Sequence, residues 1–116
     1  MAAVATYILV SHLARGAEGL SPEGRAVFIK STISTCLPKQ RAADVNALMS
    51  EDALVFYCNC LASEAADTMS YEDLRSYVKA GSFTPAALAK IEAAGETCAK
   101  RLLPRCQRVG EAVQCR

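Results

Sequence analysis

Cys58 and Cys60 stand two residues apart inside an apolar run that repeats with the period of an α-helix. On a helix that spacing sets the two side chains about 200° apart around the axis, so they cannot readily bond to each other. Each is aimed at a different neighbour, and one helix can thereby be stapled to two others. The full set is Cys36, Cys58, Cys60, Cys98, Cys106 and Cys115, an even number in a chain of 116 residues. An even count in a short chain suits a disulfide framework, which forms and persists in an oxidising compartment. A working arrangement joins Cys36 and Cys98 to Cys58 and Cys60, one each, and Cys106 to Cys115, among the several connectivities open to six cysteines. Zinc sites usually carry paired C-x2-C or C-x4-C knuckles with histidine help. This chain has no C-x2-C pair, and its single histidine, His12, lies far off in an N-terminal apolar stretch.

Composition makes such staples useful. The hydrophobic share is 52%, but much of it is alanine, which buries little area per residue, and there is no Trp. Alanine mixed with Leu, Glu, Lys and Arg favours helix, whereas β-branched residues are few and scattered, which argues against a sheet. The expected fold is all-α: a small orthogonal or bundle-like array of four to five short helices cross-linked by disulfides. Residues 1–19 form an apolar N-terminal segment, residues 20–104 the helical domain, and residues 105–116 a basic, cysteine-containing tail.

Start and stop signals divide the helical domain. Ser21-Pro22-Glu23 opens a helix with a capping Ser, a Pro at the first helical position and an acid in the first turn. Ile29, Ile33, Cys36 and Leu37 share one face, and Pro38 is expected to stop the helix. A polar link follows, from which Val45, Leu48 and Met49 are expected to touch the core. Ser50-Glu51-Asp52 opens the next helix, where Leu54, Tyr57, Cys58, Leu61 and Ala65 make the clearest apolar stripe of the chain. Ser70 and Asp73 resemble a capping box, with Met69 placed to staple onto Leu74. That helix should run to Gly81. Thr84-Pro85 starts the last helix, whose inner face is Leu88, Ile91, Ala94 or Gly95, Cys98 and Leu102 until Pro104 closes it. Gly95 would let a second helix approach closely.

Ala2 to Val10 (AAVATYILV) has the length of a signal-peptide core and is far too short to span a bilayer. Small-x-small sites follow at Ala14-Arg15-Gly16 and Ala17-Glu18-Gly19, but no positive residue precedes the run. The segment reads as a signal peptide or as a first helix. With the cysteines, it points to a periplasmic or secreted protein. Nothing else approaches a transmembrane length.

The formal net charge of +1 gives no general attraction to nucleic acid or to a membrane surface. Its distribution is uneven. Residues 42–73 hold acids and no Lys or Arg, whereas residues 74–116 are rich in bases, so the acidic middle is expected to face the basic end within one molecule.

No constellation rises to an active site. A catalytic thiol needs a nearby base or cation, and the body of the chain offers no histidine. The pairs Glu51–Asp52 and Glu72–Asp73 sit in first helical turns, where the helix dipole favours acids. There is no G-x-S-x-G, P-loop or dinucleotide fingerprint, and no cofactor is implied. Arg101, Arg105 and Arg108 could bind an anion or a partner, or simply form a solvated face. The leading reading is a non-enzymatic module for protein interaction or structure. One alternative is a carrier of a small apolar ligand in an interhelical cavity lined by Leu54, Phe56, Tyr57, Leu61, Leu88 and Ile91. Another is thiol-based metal binding or redox work.

At FYCNCLASEAADTMSYEDL and the Ala-rich run ending in Cys98, the chain resembles small exported cysteine-containing helical proteins of unknown function from Gram-negative bacteria. The matching residues are Cys36, Tyr57, Cys58, Cys60, Ser70, Glu72 and Cys98, within about Val27 to Leu102. The resemblance implies a periplasmic or secreted helical protein and supplies no activity. A second likeness is of spacing alone. Cys106 and Cys115 are separated by eight residues, as are the last two cysteines of the six-cysteine helical insect odorant-binding proteins. Those proteins place three residues between their second and third cysteines, where this chain places one.

Overall fold

Each helix begins at the cap that its residues dictate. In the computed structural model, which describes residues 19–116, four α-helices are followed by a β-hairpin. They are α1 (Pro22–Ala42), α2 (Glu51–Thr68), α3 (Tyr71–Ala80) and α4 (Pro85–Leu102). The caps Ser21, Ser50, Ser70 and Thr84 each accept a hydrogen bond from the backbone N–H three residues on. Each cap satisfies one of the donors that a helix start leaves unpaired. The reciprocal box at Ser70 and Asp73 is complete, and Gly81 ends α3 at φ 75°, a left-handed position that glycine adopts without strain. The first-helix or leader reading of residues 1–18 lies outside the described residues.

The sulfurs join the helices in the arrangement that the C-x-C spacing allows. Cys36 of α1 bonds to Cys58, Cys60 bonds to Cys98 of α4, and Cys106 bonds to Cys115. α2 is therefore the central helix, stapled to a different neighbour on each side. Around it the core is built of small residues. Phe28, Ala65, Ala66, Met69, Ala87 and Ala94 form one buried cluster toward the C-terminal end of α2. Ala53, Leu102 and Cys115 form a second at its N-terminal end, with Met49, Phe56 and Tyr57 packed against it. The largest fully buried side chains are Met69 and three cysteines, Cys58, Cys98 and Cys115. Sulfur thus supplies much of the volume that aromatic residues fill in other cores. Gly95 meets the expectation of close approach: a Cβ placed there would lie 3.2 Å from the Tyr57 hydroxyl and 3.9 Å from Leu61 Cδ1.

Three expectations fail. α1 does not stop at Pro38 but continues to Ala42. Proline removes one hydrogen bond from a helix interior at a cost of about 3 kcal/mol. The extra turn is anchored from outside: Asn46 Nδ2 donates to both Gln40 O and Gln40 Oε1, and Arg41 pairs with Glu51 of α2. Val45 and Leu48 are exposed, and only Met49 reaches the core. The 3₁₀ turn Asp44–Asn46 and the backbone bond from Met49 N to Asn46 O orient the link so that Met49 alone turns inward.

The tail also departs from the expectation that the chain forms no sheet. Cys106–Val109 (β1) and Ala112–Cys115 (β2) pair antiparallel in the register Cys106↔Cys115 to Val109↔Ala112. Gly110 has φ 63° and Glu111 has no positive φ, the combination a type II′ hairpin turn requires. Ser50 N donates to Cys115 O at 3.0 Å, which seats the hairpin on the start of α2.

Four ion pairs among the described residues all end on the acidic middle. Arg25 meets Asp67, Arg41 meets Glu51, Lys90 meets Asp73 and Arg101 meets Glu64. Two of the cations come from the basic C-terminal half and two from α1, so the acids are neutralised from both sides. Exposed pairs of this kind contribute roughly 0–1 kcal/mol each and act mainly on register.

Candidate functional site

α3 sets up a groove among the described residues because it lies on the other helices without sinking in. Its apolar residues Leu74, Tyr77 and Val78 recur at i, i+3 and i+4, yet none of its residues is buried. It is tethered at both ends. At its start, Asp73 takes the Ser70 backbone N–H at 2.9 Å and the Lys90 ammonium at 2.6 Å. Beyond its end, the Tyr77 and Phe83 rings stack with centroids 4.3 Å apart. Between α3 and α1 this leaves an open groove of about 480 Å³. α1 contributes Val27, Phe28, Ser31, Thr32, Thr35, Cys36, Lys39 and Gln40 to it, and Leu61 comes from α2. Leu74, Tyr77, Val78, Phe83, Leu88 and Ile91 complete the lining.

The groove walls are unusually apolar for a surface. Val27 is 68% exposed, Val78 78% and Leu88 46%, three large hydrophobic side chains around one opening. Grouped exposure of this kind marks binding surfaces more often than singly scattered residues do. Apart from the Tyr77 hydroxyl, the polar side chains of the lining lie along α1. Thr35 Oγ1 donates to Ser31 O, and both oxygens of Gln40 accept from Asn46. Lys39 is the only charged residue in the lining.

Of the six cavity residues named from sequence, Leu61, Leu88 and Ile91 line this groove. The others do not. Leu54 is buried in the helix packing, Tyr57 is half-buried against Gly95, and Phe56 packs on the second cluster. Phe56 and Tyr57 fall away because they pack toward the hairpin end of α2, not toward α3. Burial raises the Tyr57 hydroxyl above the ordinary tyrosine pKa, as desolvation penalises the phenolate. Val27, Lys39, Leu74, Tyr77, Val78 and Phe83 were missed as site residues. The stripe on α3 was the available signal, since an amphipathic helix too short to bury its apolar face must leave part of it open.

The three arginines do not make one anion cradle. Arg101 is 2.7 Å from Glu64 Oε1 and 3.6 Å from Cys60 Sγ, beside a shallow hollow shared with Phe56. Arg105 lies over the Phe56 ring, 4.8 Å from its centroid, a cation–π contact. Arg108 is carried off on β1, opposite Val113. The chain passes from helix to 3₁₀ turn to strand across these residues, so Arg101 and Arg105 flank Phe56 while Arg108 stands on β1. The acidic pair Glu72–Asp73 is likewise used locally. Burial raises the Asp73 carboxyl, but hydrogen bonds from Lys90 and Ser70 outweigh it and hold the group below the usual aspartate value. Glu51 is held low by its hydrogen bonds from Arg41.

All six cysteines are oxidised, which leaves no thiolate to serve as ligand or nucleophile in this state. Among the described residues no group of three His, Cys, Asp or Glu converges to hold a metal ion. No helix among them is long and apolar enough to cross a membrane. Three intramolecular disulfides accord with an oxidising compartment. No protein-family model, curated protein or solved structure matches the chain.

Proposed function

We propose that the protein is a non-enzymatic, disulfide-braced binding module of the periplasm or extracellular space, with the groove between α1, α3 and α4 as its binding site. The likeness to small exported cysteine-containing proteins, carried by the Tyr57-Cys58-Asn59-Cys60 helix, belongs to the same proposal. The observation that carries it is the groove itself. Its volume of about 480 Å³ falls among small-molecule sites, which are mostly apolar with a few placed polar groups. The Cys36–Cys58 bridge pins the α1 wall to α2, so one side of the groove keeps its shape when empty. That rigidity favours a carrier of a small apolar group. A protein partner is the second reading, favoured by the outward position of Val27 and Val78 at the rim.

Titration of the oxidised, full-length chain with a neutral apolar fluorophore tests the proposal. Saturable binding at one site per chain is expected. Leu88→Asp should weaken it at least about tenfold, because a carboxylate would have to be desolvated beneath the bound probe. Absence of saturable binding, or binding indifferent to Leu88→Asp, would remove the groove as the site.

A further inference from the structure

We infer that the groove takes a long-chain monocarboxylate, with the acyl chain along the apolar walls and the carboxylate at Lys39. This rests on the groove being a binding site, and goes further by assigning the charge of its occupant. The argument is one of charge complementarity. The lining contains one cation and no acid. Lys39 is one of several cations without a salt-bridge partner among the described residues, and of these it alone lines the groove. The neighbouring Gln40 reinforces the asymmetry. Its backbone and side-chain oxygens are both engaged by Asn46, so the end of its amide left without a partner is the donor. Nearby Thr35 has its hydroxyl proton directed to Ser31 O. The C-terminal stretch of the α1 wall therefore offers an ammonium and an amide N–H with no acceptor among those residues to meet them. The remainder of the groove, from Phe28 and Leu61 to the stacked Tyr77 and Phe83, offers hydrocarbon and ring faces. An apolar body with a single anionic end matches both parts. A neutral chain would leave the ammonium unmatched, and a cationic one would be repelled by it.

Hexadecanoate, hexadecanol and hexadecyltrimethylammonium, each below its micelle concentration, are the probes, read by displacement of the neutral fluorophore from the oxidised full-length chain. Native protein should prefer hexadecanoate over hexadecanol by about three- to tenfold, the range of a solvent-facing ion pair with a hydrogen bond. Lys39→Gln should abolish that preference by weakening hexadecanoate, and Lys39→Glu should turn the preference toward the ammonium. Equal affinity for hexadecanoate and hexadecanol, or a preference that survives Lys39→Gln, overturns this inference while the binding-site reading stands. Failure of the neutral fluorophore itself removes both. Sedimentation that shows a dimer dissociated by none of the probes would give the groove to a second copy and overturn the inference. Displacement of hexadecanoate by a peptide of residues 2–10 at lower concentration would give it to the N-terminal segment, and would overturn it equally.

Discussion

α2 and α3 both start at a capping serine and differ in almost everything after. α2 buries Ala53, Leu54, Cys58, Ala62, Ala65 and Ala66 and carries two disulfides to two different helices. No residue of α3 is fully buried and none is a cysteine; it is held by a capping box, an ion pair, one ring stack and the packing of Leu74 on the first cluster. A cap determines where a helix begins but not what it packs against. Packing is decided by side-chain size and by covalent links: alanines let α1 and α4 close on α2, and sulfur holds them there. The division suits a binding module. One helix is made immovable, and another is left on the surface with an apolar face to share.

Breaking the staples should have the largest effect. Removing the Cys36–Cys58 bridge as the double variant Cys36→Ala/Cys58→Ala should cost about 3 kcal/mol, mainly by freeing the unfolded chain over a separation of 22 residues. A midpoint in urea that moves by less than a quarter of that would mean that the small-residue packing, not sulfur, holds α2. Next comes the packing itself. Ala65→Leu, at a position with no exposed surface, should cost about 2 kcal/mol through overpacking against Phe28 and Met69. A neutral result in the same denaturation would show that the core has room where the contrast says it has none.

The tether of α3 should matter less. Asp73→Asn weakens the box and the Lys90 pair together and should cost about 1 kcal/mol at neutral pH. Because the Asp73 pKa is lowered in the folded state, its contribution is present above the unfolded value of about 3.9 and is lost as pH falls through the lower folded value. Thermal midpoints followed from pH 6 to pH 2 should fall in the native protein (~2–4 being the relevant carboxylate range), and Asp73→Asn should lose that part of the slope. The smallest effect is expected on the outer face. Val78→Thr should change stability by no more than about 0.5 kcal/mol, since Val78 is 78% exposed, while weakening the neutral fluorophore. A large loss of stability there would erase the distinction between the two helices.

Helix starts were readable residue by residue, since a cap is a local bond between a side chain and the backbone three positions on. Ser21, Ser50, Ser70, Thr84 and the stop at Gly81 all act where the chain spells them. The C-x-C spacing was readable for the same reason: helical rotation over two residues is a property of the backbone alone. The end of α1 was not, because the turn beyond Pro38 depends on Asn46 and Glu51, which come from later in the chain. The hairpin had a local signal in Val109-Gly110-Glu111-Ala112, but an alanine-rich, helix-forming composition outweighed it.

The candidate site was half visible. Leu61, Leu88 and Ile91 could be named because they continue apolar stripes, but Lys39 lines the groove because α1 runs on past Pro38, and Val78 and Phe83 enter it through the way α3 is suspended. Caps, helical phase and the sulfur inventory are short-range properties, and the amino-acid order alone determined them. Which faces meet, and which apolar face is left uncovered, depends on the mutual fit of four helices at once. Only the tertiary structure decided that, because residues far apart in the chain compete for the same limited buried space.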